Sequence, residues 1–596
     1  MKRVIFSLVA LICGSNAFAF DFYVTRMGAY VNSTNDSSVG FQSAINAAQR
    51  SGGGNVIIPA GSYVLTNYIG MSNATGIKLI ADPGATITYK TLGTASYNML
   101  NVARCSDIVI QGGKWIGATN FADVLPYSGI VIRIMSSTNV VVENLSVSHG
   151  WWYGIDIDNQ TSKAGTYYVS NAIPTTVNGV TIANNEYYYY ASQNKNITIR
   201  NVTIDYCGGN GLAIEGVRGA NIESCYISNT TNFYNKYWGI CSGIDIEESY
   251  SNFSYDPVSG HYYYDTGITL RTWGMDFDPI VSDVVIDRCR IESIRSANPT
   301  NSTGIGVRYT GGKNVLTRNT TIRDCDRGVN LGYDFTNAGI IDCLIFECNY
   351  GIAPAGYLTR ITGCTVTNCG TGIYAQLGNN GQIGFNNVSY CATNGIVLAA
   401  SPNTGDVGRG TAWNVFGNTI TSNSWSGQYN GAGIKVHAPH CIINDNIVSY
   451  NYIMGIYVDR ASPYIDIINN TVFQNSQYAD ATYPNIGVDH SSHGVNITGN
   501  SVSRSIGYYT STATAGGANT IDIGTSGAYN SGFYVGMFID LISGMGAPQT
   551  RQISAYTGYS SYRATVSTNW SVNPDSSTVF QIRGQIEPTY GISVDI

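Results

Sequence analysis

The chain has 596 residues, of which only 12% are charged, with 68 glycines and 44 tyrosines; this is far from the usage of an ordinary enzyme domain and points to a repetitive, turn-rich fold. Lys+Arg of 31 against Asp+Glu of 38 gives a formal net charge of -7, so the basic footprint of a nucleic-acid binder is missing and no such partner is expected.

In chain order, the opening "MKRVIFSLVALICGSNAFAF" has a basic start, an apolar run from Val4 to Cys13 and the small-residue signature Ala17-Phe18-Ala19. These features read as a signal peptide over residues 1–19. No later segment approaches the ~20 apolar residues of a membrane span. The mature protein is therefore expected to be secreted, whether extracellular, periplasmic or at a cell surface.

From residue 20 to 514 one phrase recurs: glycine, apolar, any, apolar. It stands at "GIVIR" (Gly129), "GIDID" (Gly154), "GLAIE" (Gly211), "GIDIE" (Gly243), "GIGVR" (Gly304), "GVNLG" (Gly328), "GIAPA" (Gly351), "GIYAQ" (Gly372) and "GIVLA" (Gly395), then at "GIKVH" (Gly433) and "GIYVD" (Gly455). The steps from Gly304 to Gly395 are 24, 23, 21 and 23 residues. Short alternating strands, frequent turns and a period in the low twenties express a parallel β-helix, whose coils close their core only by stacking. Cys325, Cys348, Cys369 and Cys391 keep the same rhythm. Directly stacked side chains sit about 4.8 Å apart, slightly too far for a disulfide, so a ladder of buried free thiols is expected.

Within the phrase both "any" positions face outward, which gives two columns up the helix. Aligned on their glycines, one column reads Arg133, Asp158, Glu215, Glu247, Arg308 and its neighbour Val131, Asp156, Ala213, Asp245, Gly306. Five acids thus fall on three successive phrases, bracketed by Arg133 and Arg308. Like charges stacked at about 4.8 Å raise each other's pKa and cost stability, so the column reads as a site. Asp156, Asp158, Glu215, Asp245 and Glu247 are the candidate catalytic carboxylates, in pairs spaced for glycosidic hydrolysis.

The alternative chemistry is β-elimination on a uronic acid. There Asp158, Glu215 and Glu247 would hold calcium, the one cofactor in view, and a basic residue would take the proton. Aromatics crowd the acids: Trp151, Trp152 and Tyr153 before the first acidic phrase, Tyr237 and Trp238 before another, and Trp273 beyond. With Arg133, Arg271 and Arg308 they are candidate substrate contacts, since flat amphipathic rings suit sugar faces. His149 and His261 are further acid–base candidates. Aromatic-rich insertions are expected at 159–195, 229–242 and 248–281, a small antiparallel β module at 515–583, and a returning strand in "GISVDI" within 584–596. Dinucleotide, phosphate-loop, haem and zinc signatures are missing.

The stretch from Phe22 to Leu65 has a "GA" turn, a short amphipathic segment and then "GGGNVIIPAGSYVL". It resembles the opening of the pectin-lyase-like superfamily of right-handed parallel β-helix proteins, with an N-terminal capping helix before the first coil. The superfamily includes polysaccharide hydrolases and lyases, alginate epimerases and tailspikes, so the resemblance implies a polysaccharide substrate and admits both a monomer and a trimer. "YGIDIDNQT", Tyr153 to Thr161, is similar to the "YGFDPHEQT" signature of mannuronan epimerases; this implies the catalytic aspartate role for Asp156, with Asp158 where that signature has histidine. The Asp-Asp pair of the polygalacturonase-like enzymes is replaced here by "CGGNGLAI", Cys207 to Ile214. A glycoside hydrolase is the leading expectation. The alternatives are the calcium-dependent lyase and a non-catalytic, tailspike- or adhesin-like glycan-binding protein.

Overall fold

The computed structural model describes residues 20–90, 98–118, 129–158, 194–231, 241–247, 281–296, 304–376, 380–400, 412–425, 431–459, 462–475, 484–489, 491–503, 509–524, 534–558, 561–583 and 592–594, together with short strands at 166–168, 175–177, 180–182, 187–189, 253–256, 261–264 and 269–271. The signal-peptide expectation at 1–19 lies outside the described residues. Among them no helix is long and apolar enough to cross a membrane.

The chain winds as a right-handed parallel β-helix. Each coil lays strands on three faces, and Gly304–Arg318 and Arg327–Ile341 run on around a corner from one face to the next. The phrase strands stack in register, so that one inward column runs Ile132, Ile155, Leu212, Ile244, Val307, Val329, Ile352, Ile373, Ile396, Ile434, Ile456 and Ile486. Every member is fully buried. With coils about 4.8 Å apart, each branched side chain rests on those of the coils beside it, and the hydrophobic gain accrues coil by coil. The helix Ser38–Arg50 closes the N-terminal end, burying Phe41, Ala44, Ile45 and Ala48 on one face.

Packing explains why the phrase begins with glycine. A Cβ at Gly328 would lie 2.5 Å from the Gly351 carbonyl oxygen and 2.6 Å from Ile345 Cγ2, so a side chain there would push neighbouring coils apart. Beside these glycines runs the thiol column. All twelve cysteines among the described residues are free and buried, and each ladder thiol donates to the carbonyl two residues earlier, as Cys369 does to Thr367 at 3.4 Å. Burial pushes the Cys391 thiol up to about 12, which leaves it inert. From Asn423 upward the same column is built of asparagines.

Residues Tyr509–Arg583 contain a seven-stranded antiparallel sheet with its own core of Ile521, Ile539, Leu541, Ile553, Phe580 and Ile582. Its first strand is Tyr509–Thr512, ahead of residue 515. Ile592–Val594 then pairs in parallel with Ile486–Val488 on the phrase face. Antiparallel strands also lie within the aromatic-rich stretches: Thr166–Tyr168 with Tyr187–Tyr189, Thr175–Val177 with Val180–Ile182, and the run Phe253–Asp256, His261–Tyr264, Thr269–Arg271.

Candidate functional site

The five acids occupy the outward positions of the strands Tyr153–Asp158, Asn210–Glu215 and Cys241–Glu247, which stack directly on one another. The register corrects the column expected from the sequence. Arg133 pairs with Asp156, not Asp158, and Arg308 with Asp245, not Glu247. The inner column is therefore Arg133, Asp156, Ala213, Asp245, Arg308, Asn330, and the outer one is Met135, Asp158, Glu215, Glu247. The cause is the choice of glycine. Gly306, whose Cβ would meet the Gly328 carbonyl at 2.6 Å, stands in the inward glycine column, while Gly304 opens the strand two residues earlier, against the Ile294 carbonyl. At the lower end it is Val131, not Gly129, that precedes the strand partner of Ile155.

Each arginine clamps two acids. Arg133 Nε lies 3.0 Å from Asp156 Oδ2, and its terminal nitrogen also bonds Asp158. Arg308 lies 2.9 Å from Asp245 Oδ2 and 3.6 Å from Glu247 Oε2. Sequence reasoning missed Asn210, whose amide donates to Asp245 Oδ2 at 2.9 Å while its carbonyl oxygen accepts from Ser242 N. Only its place immediately before the phrase glycine hinted at it. Asp156 and Asp245 are 2% and 1% exposed, each with Oδ1 buried and unpartnered. The outer column is the accessible one, with Asp158 and Glu247 side chains 16% and 27% exposed.

Burial and the charge of Asp158 push Asp156 up to about 8 against the pull of Arg133. Burial and Asp245 push Glu247 up to about 7. Glu215 has no ion pair among the described residues. Burial and the charges of Asp156, Glu247 and Asp158 hold it well above the usual carboxylate range, and it hydrogen-bonds Glu247. A hydrogen bond between two carboxyls needs a proton, and the environment assigns it to Glu215. Chemically this is a protonated acid beside an arginine-held carboxylate, on rungs about 5 Å apart.

Around the acids, Tyr153 faces their combined charge, and burial together with Glu215 and Glu247 holds its phenol well above 10. Its ring lies 5.2 Å from that of Trp152, and Trp151 is buried in the core. His149 stacks on Tyr206 at 5.8 Å. Tyr237, Trp238 and Trp273 lie outside the described residues, and of Arg271 and His261 only the strands are described. No group of histidine, cysteine, aspartate and glutamate suited to a metal ion occurs among the described residues.

Residues 354–524 match the model of the right-handed β-helix region. No curated protein sequence matches the chain. Among solved structures it is similar to the A-module of the Azotobacter vinelandii mannuronan C-5 epimerase AlgE4, at 14% identity and a TM-score of 0.42 over 71% of this chain and 94% of that one. It is similar also to the tailspike of Escherichia coli bacteriophage HK620 in complex with a pentasaccharide, at 11% identity and 0.36 over 95% and 94%. A third is the surface adhesin PfbA of Streptococcus pneumoniae, at 12% identity and 0.33 over 92% and 99%.

Proposed function

We propose that the chain is a polysaccharide-cleaving glycoside hydrolase in which Glu215 is the general acid and Asp158 the nucleophile. The observation that carries this reading is the split in environment along the outer column. Glu215 has no ion pair among the described residues and hydrogen-bonds Glu247, while Asp158 on the next rung is held by Arg133. Two carboxyl groups whose surroundings push them toward opposite protonation states form an acid and base pair.

Glu215 gives its proton to the glycosidic oxygen as the bond to the anomeric carbon breaks, and Asp158 forms an ester with that carbon. Water then attacks the ester and yields its proton to Glu215, so Asp158 leaves as carboxylate and one water is consumed per bond cut. Adjacent rungs about 5 Å apart match the spacing of a retaining enzyme. Glu247 holds the proton on Glu215 between turnovers. The inner pair, Asp156 and Asp245, keep Arg133 and Arg308 in place.

Elimination is less well supported, because the three acids that would hold its calcium are already engaged, Asp158 by Arg133, Glu247 by Arg308 and Glu215 by Glu247. The test is a panel of neutral and acidic glycans scored for new reducing ends and for the ultraviolet absorbance of an unsaturated uronide, with and without chelator. Reducing ends without absorbance, indifferent to chelation and lost in Glu215→Gln, support hydrolysis; absorbance lost on chelation replaces it with the lyase. Silence on every glycan returns the chain to a binding protein.

A further inference from the structure

Away from the acids, one edge of the later coils is free of charge. The segments 386–393, 418–425, 446–452 and 470–475 contain no charged residue. The equivalent turns of the earlier coils carry Asp205, Glu292, Arg295, Asp324 and Glu347. Along the uncharged edge Tyr390, Trp425 and Tyr450 stand 57%, 59% and 47% exposed. The Trp425 indole N–H donates to the Tyr390 carbonyl at 3.2 Å, which fixes the indole against that turn. Tyr450 meets the edge of Phe473, ring centroids 5.9 Å apart.

Tyr390 and Tyr450 have left-handed backbone, φ 54° and 55°. That conformation suits asparagine, which fills the same turn at Asn229 and Asn368, and is strained for a bulky ring. Phe385 and Tyr464 share the backbone and are as exposed, 65% and 55%, but their rings lie against Gly417 and Gly494 of the next coil. At Tyr390 and Tyr450 the next coil offers Ser422 and Gln474 instead. Aromatic rings held in a strained turn and about half exposed on a face without charge point to binding. Two coils separate the tyrosines, about 10 Å. Beside them a row of hydroxyls climbs the adjoining strands, with Ser389 donating to Thr367 at 3.2 Å and Ser449 to Thr421 at 3.5 Å.

We infer that the strip Tyr390, Trp425, Tyr450 binds an uncharged glycan chain running along the helix axis, separate from the acid cluster. Rings that stack on sugar faces and a surface without charge fit a neutral polysaccharide. The choice of a glycan over other neutral ligands rests on the reading of the acids as a glycan site. Stacking makes the strip a holding site on the polymer and leaves cleavage of short substrates to the acids.

The test compares wild type, the triple variant Tyr390→Ala/Trp425→Ala/Tyr450→Ala and the double variant Tyr390→Asn/Tyr450→Asn by affinity electrophoresis in a mannan, a β-glucan and a galactan. Trp425 fluorescence and light scattering are read alongside. Retention of wild type by at least one polymer, cut tenfold or more in both variants, is expected. The double variant should also show a higher Tm, because asparagine relieves the turn. Unchanged retention in a folded variant, or a shift from oligomer to monomer that shows the strip covering a second copy, overturns the inference. Because the assay reads binding, retention without turnover would sink the hydrolase and keep the strip, whereas turnover without strip-dependent retention does the reverse.

Discussion

Two stretches of this helix stack polar side chains in register, with opposite results. Between Asn386 and Asn500 the amides form closed ladders. Asn418 Nδ2 donates to Asn446 Oδ1 at 2.9 Å and to the Ile383 carbonyl at 2.8 Å, while Asn418 Oδ1 accepts from Asn386. Between Asp156 and Glu247 five carboxyls meet two guanidinium groups, Oδ1 of Asp156 and of Asp245 stay buried without a partner, and Glu215 borrows a hydrogen bond from another acid. A repeat can satisfy a buried amide at every rung because an amide both donates and accepts, whereas a carboxylate only accepts. The ladder that completes itself is scaffold; the one left incomplete is where the fold gives up stability for chemistry.

Removing the proton donor should have the largest effect. Glu215→Gln keeps shape and hydrogen bonding but holds no transferable proton, so turnover of a responsive glycan should fall about 10²- to 10⁴-fold. Circular dichroism and Tm should be unchanged, since the amide can still donate to Glu247 and a neutral group replaces a neutral acid. A loss of fold along with activity would mean that Glu215 belongs with the scaffold.

The acid ladder should also write itself into the pH dependence of stability. Asp156 at about 8 and Glu247 at about 7 bind protons more tightly folded than unfolded. Their stabilisation is full below pH about 4 and is lost as pH rises through 7 and 8, with each tenfold difference in proton affinity between the folded and unfolded chain contributing about 1.4 kcal/mol. Glu292, held near 2 by Tyr226, Arg290 and Arg323, acts the other way and only below pH about 4. Thermal scans should show a higher Tm at pH 5 than at pH 8.5, and Asp156→Asn should flatten that slope. A flat wild-type profile would remove the contrast between the two ladders.

In the amide ladder, Asn446→Ala strands the Val415 carbonyl, which accepts from Asn446 Nδ2 at 2.8 Å, and the Asn418 backbone N–H, which reaches Asn446 Oδ1 at 3.0 Å. With each buried orphan costing about 1–3 kcal/mol, a destabilisation of about 2 to 6 kcal/mol is expected by chemical denaturation. Glycan cleavage below the midpoint should be untouched.

How much of this could be read from the sequence follows from what is periodic. The β-helix, the inward glycine and isoleucine columns and the cysteine rhythm repeat every coil, and each is where alternation puts it. The grouping of five acids on three coils was legible for the same reason. The pairing of Arg133 with Asp156 was not, because Gly129 and Gly304 sit two residues ahead of the true inward positions. A slip of two preserves the in–out alternation and leaves no trace in the pattern. Nor could spacing show that, among the described residues, Glu215 has no ion pair while both its column neighbours have one; that depends on where two guanidinium groups swing.

The smallest expected effect lies at the seam between thiols and amides. Cys391 is the last thiol of its column, and its backbone N–H already donates to Asn423 Oδ1 at 2.9 Å, as Asn423 does to Asn451 at 3.0 Å. Cys391→Asn therefore extends the amide ladder downward by one rung. Its amide can reach Asn423 Oδ1, repeating the bond Asn423 makes to Asn451. Against that gain, asparagine is the larger side chain, and a Cβ at Gly372 would lie 3.1 Å from Cys391 Sγ, so the added atoms enter a tight place. Overpacking costs about 1–3 kcal/mol and a buried hydrogen bond returns about 1 kcal/mol, so a shift of about 1 kcal/mol toward instability is expected by denaturant titration. The reverse change, Asn423→Cys, loses bonds without gaining room and should cost more. If the two cost the same, the column is indifferent to which group fills it, and the completed ladder loses its standing as the stable counterpart of the acids.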